Sequence, residues 1–289
     1  MLSLYYHRFY PRNGKNYLSQ VASRLFSAAA FTGGRKLVDL SVFIENDVIS
    51  DPVPFNPKVT YFSHKDTFPQ LQQFFPDLKQ HQLPDGEAWA IEKIELITHN
   101  GTHLDAPFHF HSTTNNGKER SKTIDEVPLE WCIGDGVKLD FRHFEDGYVV
   151  TEQDVRNELD RIEYKIKPFD IVVVNTSAGA AYGSADYILK GCGIGKEATL
   201  FLLNQGVKVT GIDGWSWDAP FPLTAKTYAA TKDASIIWEG HKAGRIKEYC
   251  HLEKLHNLEV LPSHGFTICC FPVKIRSASA GWTRAVAIL

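Results

Sequence analysis

The sequence predicts an α/β fold, a single domain with a mixed sheet and flanking helices. Strand-like and helical stretches alternate through the middle of the chain, which is typical of parallel strands joined by helices. The last strand-like stretches follow one another without helices between them, which predicts additional antiparallel strands. The chain of 289 residues suits one domain, and no linker interrupts residues 35–289.

Apolar runs and turn residues predict the elements in order. The opening strand, LVDLSVFI, precedes a polar, proline-punctuated stretch from Asn46 to Gly86, which is long enough to predict a functional loop or lid. The first helix begins at the N-cap residue Thr151, with Asp154 three positions later, and the second is closed by Gly206. The predicted strands are 37–44, 91–98, 136–141, 170–175, 207–211, 267–273 and 284–289, and the predicted helices are 151–165 and 195–204.

Composition excludes several classes of protein. The net charge is −3, and six basic residues precede the first acid, so the rest of the chain is acidic and lacks a field that attracts nucleic acid. No apolar run approaches the roughly 18 residues of a membrane-spanning helix. The five cysteines include no CxxC pair, which disfavours a disulfide framework or a thiolate zinc site.

Residues 1–34 form a basic extension ahead of the domain. Its arginines, its serines and the helical spacing of apolar residues from Tyr17 to Phe26 resemble a mitochondrial transit segment. The alternative is a helix that packs on the body or on a partner subunit. We therefore expect the protein in the cytoplasm or the mitochondrial matrix, and not secreted, because charged residues interrupt any secretory signal.

The stretch THNGTHLDAPFHFH concentrates potential metal ligands. Imidazole and carboxylate groups together suit zinc or manganese. Isolated histidines are usually solvated loop residues, but two histidines and an aspartate within seven residues after a strand favour a shared ion. The candidates are His99, His103, Asp105, His109 and His111.

The backbone of this stretch cannot be a helix or a straight strand. Asn100-Gly101 opposes a helix, and a fully extended chain would separate His99 from Asp105 by about 20 Å. We therefore expect a strand end and a compact turn, with Gly101 leaving open space on the metal side. The tetrapeptide DAPF occurs at 105–108 and again at 218–221, and it predicts two tight proline turns.

A second group of potential ligands lies between residues 238 and 258. Composition does not choose among them, and the alternative is an amphipathic surface segment. The members of this group are Glu239, His241, Glu248, His251, Glu253 and His256.

Two motifs resemble the metal-dependent cyclase superfamily, which includes bacterial-type kynurenine formamidases and isatin hydrolases. HNGTHLDAPFHF is similar to its signature HxGTHxDxPxHF. Its second signature is similar to the spacing of His241 and Glu253, which lie twelve residues apart, together with the leucines around Asn257 that follow them. The similarity covers residues 37–289 and implies a swivelling β/β/α-like fold.

The resemblance implies one or two divalent ions, zinc or manganese. The implied ligands are His99, His103 and Asp105 for one ion, and Asp105, His241 and Glu253 for a second, with Asp105 bridging. His109 is then the acid/base. With an unshifted pKa near 6.5, we expect it to accept a proton from the attacking water and pass it to the leaving atom.

The implied activity is metal-dependent hydrolysis of a small cyclic or aromatic amide, lactam or lactone, in the manner of an arylformamidase or an isatin hydrolase. The implied partners are a small-molecule substrate and further copies of the chain, as a dimer or tetramer, for which the aromatic segment 55–78 is a candidate. The alternatives are a cyclase or lyase that uses the same metal, and a non-catalytic metal-binding protein of the same fold.

The substrate side departs from the family pattern. Kynurenine formamidases of this family have a tryptophan near the N-terminus, where this chain offers Phe55. We expect Phe55, Trp215 and Trp217 to contact the substrate, with core packing as the alternative for the two tryptophans. Asp213 and Asp218 either hydrogen-bond the ligand histidines or form turns.

Overall fold

The structure, a computed structural model, describes residues 34–289. Residues 1–33 of the predicted transit segment therefore lie outside the described residues. The strands are β1 Leu37–Asp39, β2 Lys58–Phe62, β3 Ile91–Glu95, β4 His103–Asp105, β5 Thr113–Thr114, β6 Glu119–Arg120, β7 Ile133–Asp140, β8 Val149–Val150, β9 Ile171–Asn175, β10 Gly193–Ile194, β11 Val209–Ile212, β12 Cys250–Glu253, β13 His264–Cys269, β14 Ala280–Trp282 and β15 Val286–Ile288. The helices are α1 Phe68–Phe74, α2 Pro107–Phe110, α3 Glu152–Arg161, α4 Lys196–Asn204, α5 Phe221–Thr231 and α6 Glu239–Lys242.

A nine-stranded mixed sheet organises the domain, in the order β1-β15-β13-β7-β9-β11-β12-β4-β14. Strands β7, β9, β11 and β12 are parallel, and antiparallel strands flank them on both sides. The predicted single α/β domain with a mixed sheet and flanking helices is confirmed. Small two-stranded sheets, β2-β3, β5-β6 and β8-β10, lie outside it.

Strand β9 lies at the centre of the sheet and is buried on both faces. Ile171 and Val173 belong to one apolar core, whereas Val172 and Val174 belong to the other. Alternate side chains of a strand point to opposite faces, so a continuous apolar run is what a doubly covered strand requires.

Helix α3 covers one of these cores and begins as predicted. The Asp154 N–H donates to Thr151 Oγ1 at 3.2 Å, and the Thr151 N–H donates to Asp154 Oδ2 at 2.9 Å. Val155 and Leu159 are buried against the sheet. The helix ends at Arg161, four residues earlier than predicted.

Several predicted boundaries differ for reasons visible in the sheet. The opening strand ends at Asp39, where its pairing with β15 ends, and Ser41 forms an isolated bridge with Leu255 instead. The predicted strand 91–98 ends at Glu95 and pairs with β2 in a separate two-stranded sheet, with every β3 residue exposed. Both DAPF segments lead into helices, α2 and α5, that have proline in the first turn.

The turn before β4 lies where the sequence predicts it, but the structural reason for glycine at position 101 differs from the expected one. Gly101 has φ +59, a conformation that other residues adopt only with strain, and a Cβ there would lie 3.0 Å from Ile44 Cγ1. The space beside Gly101 is therefore filled by Ile44, and the expectation of open space on the metal side is wrong.

Among residues 34–289, no helix is both long and apolar enough to cross a membrane. Segment 55–78 includes α1 and exposes Phe55, Phe74 and Phe75. That this segment joins copies of the chain in a dimer or tetramer stays a prediction.

Candidate metal centre

Two neighbouring strands place four polar side chains on one face of the sheet. In the antiparallel pair β4-β12, His103 lies opposite Glu253 and Asp105 lies opposite His251. Residues two apart on a strand point to the same side. All four residues are buried, so this face holds a polar cluster inside the domain.

Three donor atoms from the first motif converge on one point. Asp105 Oδ1 is 2.9 Å from His99 Nδ1 and 3.3 Å from His103 Nε2, and the two imidazole nitrogens are 3.3 Å apart. Two atoms that share a tetrahedral ion at about 2.1 Å lie about 3.4 Å apart. The spacing of these three atoms therefore fits one ion.

A second set of donor atoms surrounds the other oxygen of the same aspartate. His241 Nε2 is 3.8 Å from Asp105 Oδ2 and 3.4 Å from Glu253 Oε1. The remaining oxygen, Glu253 Oε2, is 3.5 Å from His103 Nε2. Asp105 thus presents one oxygen to each set, which is the arrangement of a bridging carboxylate.

Hydrogen bonds fix the orientation of the histidines. His103 Nδ1–H donates to the Gly101 carbonyl at 2.9 Å, and His241 Nδ1–H donates to Asp218 Oδ2 at 2.5 Å. When each ring is neutral, the proton on Nδ1 leaves the Nε2 lone pair directed at the cluster. His99 is oriented through its other nitrogen, since Nε2 lies 3.1 Å from Ser279 Oγ.

The buried atoms of the cluster lack the partners that burial demands. Within residues 34–289, neither oxygen of Asp105 accepts a hydrogen bond, and His241 Nε2 has no partner. Buried polar atoms without partners are costly. One or two divalent ions held by the two donor sets would satisfy these atoms, so the residues fit a divalent metal.

The electrostatics of the cluster also favour a cation. Burial opposes charge on His103, yet the facing carboxylates of Asp105 and Glu253 raise its pKa to about 9. Burial opposes ionisation of Asp105, but the nearby His109 and His103 hold its pKa well below the ordinary value. The cluster therefore attracts positive charge, which a divalent ion supplies in place of protons.

His109 lies beside the cluster on helix α2. Its Nε2 is 3.9 Å from Asp105 Oδ2, and its ring packs against His99 with centroids 4.0 Å apart and against Trp238 at 5.1 Å. Burial lowers the pKa of His109 to about 4, against the pull of Asp105. The expected unshifted pKa is therefore wrong, and the ring is neutral at pH 7.

A cavity of about 210 Å³ opens onto the cluster. Phe55 and Trp215, two of the predicted substrate residues, line it together with Ile97, Phe221 and Trp238. His99, His109, His241 and Glu253 form its metal side. The cavity therefore combines the donor atoms with apolar, largely aromatic side chains, one of which, Trp238, stacks on His241 with ring centroids 4.5 Å apart.

Trp217 lies elsewhere. Its side chain is 0% exposed in an apolar core, and its Nε1–H donates to Thr199 Oγ1 at 2.9 Å. It is absent from the lining of the cavity within the described residues. Core packing, the alternative, accounts for its position, so the expected substrate contact of Trp217 is withdrawn.

Asp213 and Asp218 have different hydrogen-bond partners. Asp218 holds His241, whereas Asp213 accepts hydrogen bonds from Thr176 and Asn175. Sequence reasoning left His251 outside the site, and the structure places it beside the cluster, opposite Asp105. Its position opposite Asp105 follows from the pairing of two strands, which the sequence does not display.

Other residues of the site were also missed by sequence reasoning. The cavity is also lined by Asp51, Trp238 and Lys254. The predicted candidate His111 lies apart from it and is hydrogen-bonded to Thr113. Lys254 could have been suggested from the sequence, because it directly follows the proposed ligand Glu253. No sequence pattern indicates that Asp51 belongs to the site, because only the fold brings its segment to the cavity.

A comparison with known protein families matches a range of the chain that contains the first motif. The family described as "Putative cyclase" matches residues 38–219, a range that includes His99, His103 and Asp105. A kynurenine formamidase of Bacillus cytotoxicus is 30% identical over 141 residues, or 48% of this chain and 57% of that enzyme. The alignment thus spans little more than half of the relative.

Solved structures share the fold. Isatin hydrolase A from Labrenzia aggregata, bound to benzyl benzoate, has a TM-score of 0.66 and 25% identity, over 94% of this chain and 99% of that chain. An isatin hydrolase bound to the product analogue thioisatinate has a TM-score of 0.68 and 19% identity, over 93% of this chain and 98% of that chain.

Proposed function

The chain belongs to the family described as "Putative cyclase", and from this we propose that it is a metal-dependent hydrolase of a small aromatic amide or lactam. The observation that supports this most directly is Asp105, whose two buried oxygens lack hydrogen-bond partners among the described residues. Each oxygen faces its own set of imidazole and carboxylate donors. The donor set suits zinc or manganese, as one or two ions.

The proposed substrate is an arylformamide or a lactam of the isatin type. The aromatic wall of Phe55, Trp215 and Trp238 suits a planar ring, and the volume of about 210 Å³ suits a small one. The relatives named kynurenine formamidase and isatin hydrolase support this choice. A lactone of the same shape is the second candidate.

A divalent ion bound here would supply Lewis acidity, which makes water nucleophilic near neutral pH and polarises a carbonyl. His99, His103, Asp105, His241 and Glu253 would hold it. Asp218 keeps the lone pair of His241 directed inward.

His109 supplies the proton transfer in this proposal. Since its pKa is about 4, the ring is neutral at pH 7 and accepts the proton of the attacking water at Nε2. The protonated ring is then a stronger acid than an ordinary imidazolium, and it gives that proton to the leaving nitrogen. The packing of His109 against His99 and Trp238 holds the ring in place between these steps.

Metal analysis of the purified protein, followed by assays with and without a chelator, tests the proposal. Formamide, lactam and lactone panels distinguish the substrate classes, and product analysis distinguishes hydrolysis from cyclisation or elimination. Bound metal without turnover on any panel would favour a binding protein. Protein without stoichiometric metal would refute the proposal.

The variant His109→Ala tests the role of the acid/base. We expect it to keep its metal and to lose a factor of about 100 to 10,000 in kcat, the usual contribution of a positioned proton carrier. His111→Ala is the matched control, since His111 is bonded to Thr113 and should leave kcat nearly unchanged. Loss of metal in His109→Ala would make His109 a ligand.

A further inference from the structure

A buried ion pair lies in the wall of the cavity, outside the donor sets. Lys254 Nζ is 2.5 Å from Asp51 Oδ1, and the two residues are 3% and 8% exposed. Trp215 Nε1–H donates to the same oxygen at 2.8 Å. Burial of two charges is costly even when they are paired, so a pair kept beside a cavity suggests a function other than stability.

Lys254 connects the pair to the metal centre. It follows Glu253 directly, and its Nζ donates to the His99 carbonyl at 3.4 Å. Its φ is +55, in the left-handed region that residues other than glycine adopt only with strain. Contacts on both sides hold it there, since its carbonyl accepts from Thr102 Oγ1 at 2.7 Å and its N–H donates to the Gly214 carbonyl at 3.1 Å.

Asp51 connects the pair to residues 50–56, which we call the cover segment. The cover segment contains a short 3-10 turn, in which the N–H groups of Phe55 and Asn56 donate to carbonyls at 2.8 and 3.2 Å. Its far end is held by Asn100 Nδ2, which donates to the Phe55 carbonyl. Asp51 is the charged anchor at its near end.

Two of the anchors of the cover segment reach residues next to proposed ligands, and a third hydrogen bond, from the Gly183 N–H to Ser50 Oγ at 2.6 Å, holds its first residue. Lys254 adjoins Glu253, and Asn100 adjoins His99. The position of Phe55 relative to the metal centre is therefore determined at both ends by the backbone that also positions the ligands. The charges of Asp51 and Lys254 are directed at each other.

We infer that the Asp51–Lys254 pair is a positioning clamp, which holds the cover segment and its Phe55 over the metal centre and thereby sets the affinity for the aromatic part of the substrate. The positional part depends only on the contacts above. The affinity part rests on the proposed function.

Hydrogen exchange on the intact purified protein tests the positional part without any assay of activity. In Lys254→Met and Asp51→Asn, we expect the amides of Phe55 and Asn56 to exchange at least about tenfold faster, with the β9 amides unchanged. The matched control is Lys167→Met, which breaks an exposed pair with Asp135 of 2.6 Å and should change neither rate. Asp51→Asn keeps the side-chain shape and suffices alone if Lys254→Met does not fold.

Kinetics and metal content test the affinity part. We expect KM to rise about tenfold in both variants, with kcat within about threefold and the metal content unchanged. Unchanged exchange at Phe55 and Asn56, or equally faster exchange in β9, would overturn the clamp. A fall in kcat at constant KM would overturn its role in affinity. Absence of hydrolysis by the unmodified protein would remove the proposed function and leave the exchange test intact.

Discussion

Replacement of Asp218 by asparagine tests whether this carboxylate keeps His241 in the form that binds metal. Asp218 Oδ1 accepts from the Gly240 N–H at 2.7 Å, and Oδ2 accepts from the N–H and the Nδ1–H of His241 at 3.1 and 2.5 Å. Asparagine has nearly the same shape but has one acceptor oxygen and one NH2 group. The NH2 group must therefore face donors on one side or the other.

Each orientation of the new amide has a calculable consequence. If the NH2 faces His241, the ring proton moves to Nε2 and occupies the lone pair that binds metal. Loss of such an outer partner lowers metal affinity about 10- to 100-fold, or about 1.4–2.7 kcal/mol. If the NH2 faces Gly240, a buried N–H loses its acceptor, which lowers the free energy of unfolding by about 1–3 kcal/mol.

Chelator competition measures the metal affinity, and urea unfolding of the metal-free protein measures the stability. The matched control is Asp213→Asn, because Asp213 is buried nearby but hydrogen-bonds Thr176 and Asn175. We expect this control to keep its metal affinity within about threefold. Wild-type affinity together with wild-type stability in Asp218→Asn would refute the reasoning.

Two further predictions concern pH and the core tryptophan. Burial disfavours charge on His103, but Asp105 and Glu253 outweigh it and raise the pKa of His103 to about 9 in the metal-free protein. His103 must therefore lose a proton before it binds metal, so the affinity for metal should increase with pH up to about 9. Chelator competition across that range checks this, and a plateau from pH 7 upward would contradict it. Trp217→Phe removes the bond to Thr199 and should lower the free energy of unfolding by about 1–3 kcal/mol, with KM unchanged. A raised KM at unchanged stability would place Trp217 in the substrate wall.

The sequence predicts those elements whose apolar pattern reflects their burial. Strand β9 is predicted within one residue, because apolar cores cover both of its faces. Helix α3 is predicted at its start, because Thr151 and Asp154 satisfy its free N–H groups locally. Helix α5 is not predicted, since none of its residues is buried and its sequence has no apolar stripe.

The site is predictable to the extent that its residues lie close together in the chain. His99, His103 and Asp105 lie within seven residues, so a local turn brings them together. Asp51 and Lys254 are 203 positions apart, and only the complete fold places them in contact. Strand β12 was missed for a related reason, because its sequence CHLE looks amphipathic while all four residues are buried.

The polar character of β12 is explained by what faces it. A buried strand normally presents apolar side chains, but His251 and Glu253 point to the face that β4 fills with His103 and Asp105. A shift of one residue in the pairing would turn two of these side chains to the opposite face, because the side-chain period of a strand is two. The register of β4 against β12 therefore positions donors from two distant motifs. The matched family range ends at residue 219, so for Glu253 the geometry of the sheet is the observation that joins it to the first motif.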